Sequence, residues 1–193
     1  CILVGTQMLA KGHHLPGIEL AVMLDADAAL FSADFRAPER LAQSIVQVAG
    51  RAGRGGAGAF VLVSRHGEHP LLRALAGGDY AGAAGLLLAE RREAGLPPFA
   101  HLAMVRAEAR DAERARDFLR AIAAGVDARS IDVAGPVAAI LQRRAGYWRY
   151  QLWLMSPARA PLARETARLP GLIEAMPEAG ALRWHIDVDP LDM

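Results

Sequence analysis

The sequence predicts an α/β unit with a parallel sheet, followed by a separate α+β unit of ferredoxin-like type. Two patterns carry this reading. In the first third of the 193 residues, short continuous apolar runs alternate with a helical pattern, as in parallel sheets buried on both faces. From residue 100 onward the order is strand, helix, strand, strand, helix, strand, the split βαβ signature of a four-stranded sheet with two helices on one face. A hydrophobic fraction of 53% supports packed globular units and argues against a disordered tail.

Residues 2–4 and 20–25 read as buried strands, and the GTQMLAKGHHLPG connection lies between them. LFSADFR has the composition of a loop. Residues 38–48 have helical spacing and stop at Gly50, and residues 59–64 (AFVLVS) give a third strand. Polar loops are expected to gather at one edge of this sheet, where α/β folds place their ligands. Residues 69–94 read as two helices, ended by Gly95 and LPPF, because a residue before proline is pushed toward extended geometry. Then follow strand HLAMVRAEA, helix 111–124, strands SIDVAGPV and YWRYQLWLM, helix 161–176 and strand ALRWHIDVD. The expected divisions are 1–78, a helical linker 79–98, and 99–193.

Composition excludes several classes. No apolar stretch is long enough to span a bilayer, the N-terminus lacks a secretory-signal pattern, and no membrane partner is expected. A cytoplasmic location is expected. The single cysteine, Cys1, excludes an internal disulfide framework and a cysteine-rich metal site within these residues. The chain opens on CILVGT without an initiator methionine and reads as a fragment. Its net charge of +1 is too small to signal nucleic acid, but its distribution is uneven. Between Gly135 and Pro170 there are six arginines (143, 144, 149, 159, 164 and 168) against one acid, Glu165.

Two segments carry chemistry. In QVAGRAGRGG, Arg51 and Arg54 sit on a glycine-spaced turn, and a guanidinium presents a rigid fork of donors suited to charge developing on a phosphate. The same turn also reads as a solvated basic loop. Thr6 and Gln7 follow a strand, where a hydroxyl, an amide and free backbone N–H groups hold a DNA phosphate without reading its base, or simply cap a helix. Lys11, Gly12, His13 and His14 form the adjoining loop; two adjacent histidines without a third ligand at suitable spacing do not make a metal site. Asp25 and Asp27 share a strand face and are expected to hydrogen-bond at the sheet end, and Asp34 and Arg36 to form a loop ion pair. In the C-terminal unit, RRAGYWRYQLWL interleaves Arg143, Arg144 and Arg149 with Tyr147, Trp148, Tyr150 and Trp153. Positive charge with aromatic rings holds single-stranded nucleic acid, while Trp153 and Trp184 are expected in the core. Tyr147 and the three arginines are the candidates for the DNA backbone.

GTQMLAKGHH, LDAD, LFSADFRAPER, QVAGRAGR, HPLL, AERREAGLPPF, GPV, WRYQLWL and WHIDVDP together resemble, in order along the chain, the C-terminal part of the bacterial primosomal protein N′ family. These are superfamily 2 DNA helicases that restart replication. The resemblance implies that the first unit is the end of the second RecA-like lobe, with ATP and Mg²⁺ shared with a lobe outside these residues. It implies Arg54 as the arginine finger with Arg51 beside it, and Gln47, Gly12 and His14 at the nucleotide; His14 stands where many related motors carry aspartate. The lysine loop GxxxxGK[ST] is absent, so the fragment alone is expected to be inactive. Zinc is implied for the parent protein and not for this segment. The implied partners are replication forks, single-stranded DNA, the single-stranded DNA-binding protein and other primosome proteins, with Arg159 a candidate for an acidic partner peptide. The other reading is a non-catalytic nucleic-acid or protein interaction module, centred on the ferredoxin-like half.

Overall fold

A computed structural model of the chain describes residues 2–6, 17–52 and 58–192. The chain divides into two compact units, Cys1–Glu90 and Arg91–Met193. In the first, β1 (Leu20–Met23) leads into a one-turn helix α1 (Asp27–Leu30), then α2 (Ala37–Ala49), β2 (Ala59–Leu62), α3 (Pro70–Ala76) and α4 (Tyr80–Glu93), which runs across the boundary. β1 and β2 pair in parallel, with Leu20 opposite Ala59 and Val22 opposite Val61.

α2 forms where Pro38 opens the first turn without needing an N–H partner. Its buried Ala37, Leu41, Ala42 and Ile45 repeat at helical spacing, so one side packs inward. Leu41, Ala42 and Ile45 meet Leu71, Leu72 and Leu75 of α3 and Ala83 and Leu87 of α4 in one core, against which Met23, Phe60 and Leu62 pack. The alternate strand residues Leu20, Val22 and Val61 are 45–57% exposed, so among the described residues nothing packs closely over the other side of this two-stranded sheet.

Three expectations differ here. Residues 2–4 form no strand: β1 pairs only with β2 among the described residues, and a strand without a hydrogen-bonded neighbour has nothing to hold it. Asp25 and Asp27 do not share a strand face, because β1 ends at Met23, Asp25 turns the chain with φ 57° and Asp27 begins α1. Asp34 pairs with the Arg40 side chain, and from Arg36 it accepts only the backbone N–H, at 2.9 Å.

The second unit contains β3 (His101–Ala109), α5 (Ala112–Ala124), β4 (Asp132–Arg144), β5 (Tyr147–Ser156), α6 (Arg159–Glu174), a 3₁₀ turn and β6 (Arg183–Val188). The sheet is antiparallel in the order β4-β5-β3-β6. The βαββαβ order read from the sequence is therefore present. α5 starts where Asp111 caps it, accepting from the N–H groups of Glu113 and Arg114. Phe118, Leu119 and Ile122 of α5, with Leu162, Leu169 and Ile173 of α6, bury against Ala103, Val105, Ala107, Leu152 and Leu154. Burying each large aliphatic side chain stabilises by about 1.5–3 kcal/mol.

Trp184 and Tyr150 pack against this core. Trp153 does not, since it alternates with Leu152 and Leu154 and so lies on the face opposite the helices, in register with Met104. That second face is itself covered along β3, where Leu102 and Met104 are fully buried.

Candidate nucleic-acid interface

The first unit places a polar cluster just beyond β1 and β2. Asp27 is buried, and its carboxylate accepts from the Ser64 hydroxyl, from the Arg65 N–H at 3.1 Å and from Arg65 Nε at 3.2 Å. The Ser64 hydrogen bond, followed by the Arg65 backbone N–H, holds the carboxyl below its ordinary value of 3.8 against the opposing effect of burial. Asp27 thus fixes the chain after β2 to the chain after β1, a structural task. Beside it, the Phe31 ring meets His66 edge-on at 4.7 Å.

Gln47 lies exposed on the last turns of α2. Gly50 ends that helix, and the Arg51 N–H donates to the Val48 carbonyl at 3.0 Å, placing Arg51 half-buried in the turn. Thr6 is exposed in an irregular segment. Arg54, Gln7, Gly12 and His14 lie outside the described residues, as do Lys11 and His13. The structure therefore brings Gln47 and Arg51 to one helix end and leaves the rest of the nucleotide set unplaced. Among the described residues, no group of three or more His, Cys, Asp and Glu side chains is gathered as metal ligands would be.

In the second unit a two-residue turn joins β4 to β5. Ala145 and Gly146 both have positive φ (49° and 82°), the geometry of a type I′ hairpin, and Arg144 and Tyr147 face each other across it. This turn sets which side each candidate occupies. Arg143 is opposite Trp148, with its guanidinium 5.3 Å from the indole ring. Tyr147 is approached by Arg183 at 4.3 Å and by Arg110 at 5.9 Å, two arginines that sequence reasoning did not select. They come from the start of β6 and from just after β3, distant in sequence, so only the sheet order brings them to the tyrosine.

Arg149 behaves differently from its neighbours. Its Nε donates to Glu108 on β3 at 2.8 Å, both side chains being only 19% and 26% exposed, and its Nη1 donates to the Leu141 carbonyl at 3.4 Å. It ties three strands together. Arg168 is likewise held by Glu165 at 2.5 Å and by the Gly125 carbonyl. Of the six arginines clustered in the sequence, these two are engaged in the fold, and Arg143 and Arg144 remain exposed at the hairpin tip.

Arg159 opens α6 and borders a surface groove of about 410 Å³ between α6 and β6. Leu162, Ala163, Ile186 and Val188 make the groove apolar, with His101, Thr166 and Asp189 at its margin. Arg159 thus stands as a cation beside an apolar trough.

The family model for the primosomal protein N C-terminal domain matches residues 92–191, which takes in all of the four-stranded sheet. Replication restart protein PriA of Haemophilus influenzae is 41% identical over the whole of this chain, which spans 27% of that relative. The protein of the same name from Treponema pallidum is 32% identical, again over the whole chain and 29% of its own length. That from Thermotoga maritima is 29% identical over 78% of the chain and 20% of its own length. The chain thus spans less than a third of these relatives, and the matches over the whole chain take in the hairpin, the α6 groove and Arg51. The chain belongs to the primosomal protein N C-terminal domain family.

Proposed function

We propose that this chain is the closing part of an ATP-dependent DNA helicase that recognises stalled replication forks and restarts replication by assembling a primosome. The observation that carries the proposal is the match over the full length of the chain to relatives named as replication restart proteins. The first unit is then the end of a second RecA-like lobe. A parallel β1–β2 pair, with α2 on one side and Leu20, Val22 and Val61 exposed on the other, supports this reading, because the rest of a larger sheet lobe would pack against that exposed side. Arg54, assisted by Arg51, stabilises charge on the transferred phosphoryl group. Gln47, Gly12 and His14 border the nucleotide, and Thr6 and Gln7 hold a DNA phosphate. Bound Mg²⁺ would neutralise phosphate charge, with its ligands on the other lobe, and zinc belongs outside this segment.

The second unit holds DNA. Exposed Arg143 and Arg144 meet phosphates at the hairpin, with Tyr147 behind them, while Arg149 positions the hairpin through Glu108. Arg159 and its groove receive an acidic peptide from a primosome partner, the single-stranded DNA-binding protein being the partner that the family resemblance names. The test is ATP hydrolysis by the longer protein with and without forked DNA. Fork-stimulated hydrolysis is expected, and its absence would reduce the chain to a docking module.

A further inference from the structure

β4 is an edge strand of the four-stranded sheet, and it is broken twice. At the first break Gly135 takes φ 110°, and a Cβ there would come within 2.9 Å of the Gln151 carbonyl oxygen, so only glycine fits. The second break is larger. Ala138 faces Tyr150 and Arg143 faces Trp148, so residues 139–142 of β4 all stand opposite the single residue Arg149. The surplus chain bulges, with Ile140 56% and Leu141 55% exposed.

A bulge can protect an edge from pairing with another strand, but polar residues would do this without presenting two large aliphatic side chains to water. The bulge is also clasped. Arg149 donates to the Leu141 carbonyl while bonded to Glu108 on β3, which fixes the apolar pair in place. Arg143 and Arg144 follow directly at the exposed tip, and Arg110 and Arg183 stand around Tyr147 beside it. Glu108 is itself bonded to Arg149, so its charge is matched, and Arg143 and Arg144 stand exposed next to the apolar pair along the chain. A fixed apolar projection bordered by guanidinium groups complements a polyanion with apolar faces between its charges, which is a nucleic acid strand whose bases are unstacked.

We infer that the bulge at residues 139–142 is a wedge: Ile140 and Leu141 press against unstacked bases at the junction of single- and double-stranded DNA, while Arg143 and Arg144 hold the adjoining phosphates. The inference rests on the proposed fork-binding function. It assigns the hairpin a share in opening the junction and places Arg149 as the positioning residue that sets the wedge.

The test uses the longer protein and forks carrying 2-aminopurine at the junction, whose emission rises when the base unstacks. Wild type should raise that emission. The double variant Ile140→Ser with Leu141→Ser should abolish the rise and weaken fork binding by about tenfold, with the salt dependence unchanged, because no phosphate contact is lost. Arg143→Ala with Arg144→Ala should instead flatten the log–log salt slope by up to about two units. The conservative pair Ile140→Leu with Leu141→Met should keep the signal, which separates loss of the wedge from loss of fold. If the serine variant binds forks and unstacks the junction as wild type does, the wedge is overturned while fork binding stands; this is also the result if the bulge serves a protein partner. A wild-type protein that binds no fork at any salt concentration would overturn the fork-binding function and the wedge with it.

Discussion

The sheet of residues 91–193 has four strands, two helices packed on one face and buried β3 side chains on the other, whereas among the described residues of 1–90 the sheet has two strands and one exposed side. The difference is one of completeness. The second unit encloses its own core, from Ala103 on β3 to Ile173 on α6, so its hairpin and α6 groove are built on a finished scaffold. In the first unit the core runs from Ala26 to Leu87 and lies mostly between helices, while Leu20, Val22 and Val61 face outward. A sheet built in this way leaves one side open to a neighbour, as the proposed helicase lobe requires.

Core truncation should give the largest stability effects and sharpen the contrast. Leu154→Ala, at a fully buried position between the sheet and its helices, should cost about 2–5 kcal/mol in denaturant unfolding. Ile45→Ala, buried on α2, should fall nearer the lower end of that range, because a partly open layer can collapse around the lost methyl groups more readily. Equal costs would remove the argument from completeness. A smaller effect is expected at the first break of β4. Gly135→Ala forces a side chain into φ 110° and against the Gln151 carbonyl, and should lower stability by about 1–3 kcal/mol, seen as a shifted unfolding midpoint for the second unit.

The smallest effect concerns pH. The folded state lowers the Asp27 carboxyl below 3.8, so its contribution is fully present above the unfolded value and is lost as pH falls through the folded one. Asp27→Asn should therefore destabilise the first unit near neutrality, with the difference from wild type shrinking below about pH 4. A gap that widened on acidification would contradict the Ser64 and Arg65 hydrogen bonds as its cause.

Much of this was legible in the sequence because local signals agreed with tertiary ones. HLAMVRAEA is a nine-residue strand over the same residues that its pattern marks, and Asp111 marks the start of α5. Failures came where the deciding contact is remote. An apolar run such as ILV at residues 2–4 reads as a strand whether or not a neighbour pairs with it. Asp27 reads as a strand residue until Ser64 and Arg65, 37 and 38 positions away, are seen to bind it. At the hairpin the sequence picked Arg143, Arg144, Tyr147 and Arg149 from composition, but it had no means of separating Arg149, whose partner Glu108 lies 41 residues earlier. Arg110 and Arg183 were missed for the same reason. The bulge was missed because a continuous strand pattern contains no count of the residues opposite it.

The proposal that Arg54 of the first unit does chemistry while the hairpin of the second grips the fork can be tested in one titration: ATP hydrolysis by the longer protein against increasing fork concentration. Arg54→Ala should lower the maximal rate by about a thousandfold with the fork concentration for half-stimulation little changed, as expected for a lost arginine finger. Arg143→Ala with Arg144→Ala should raise the half-stimulating concentration and leave the maximal rate near wild type. Near-normal turnover in the Arg54 variant, or a collapse of maximal rate in the hairpin variant at saturating DNA, would contradict the division.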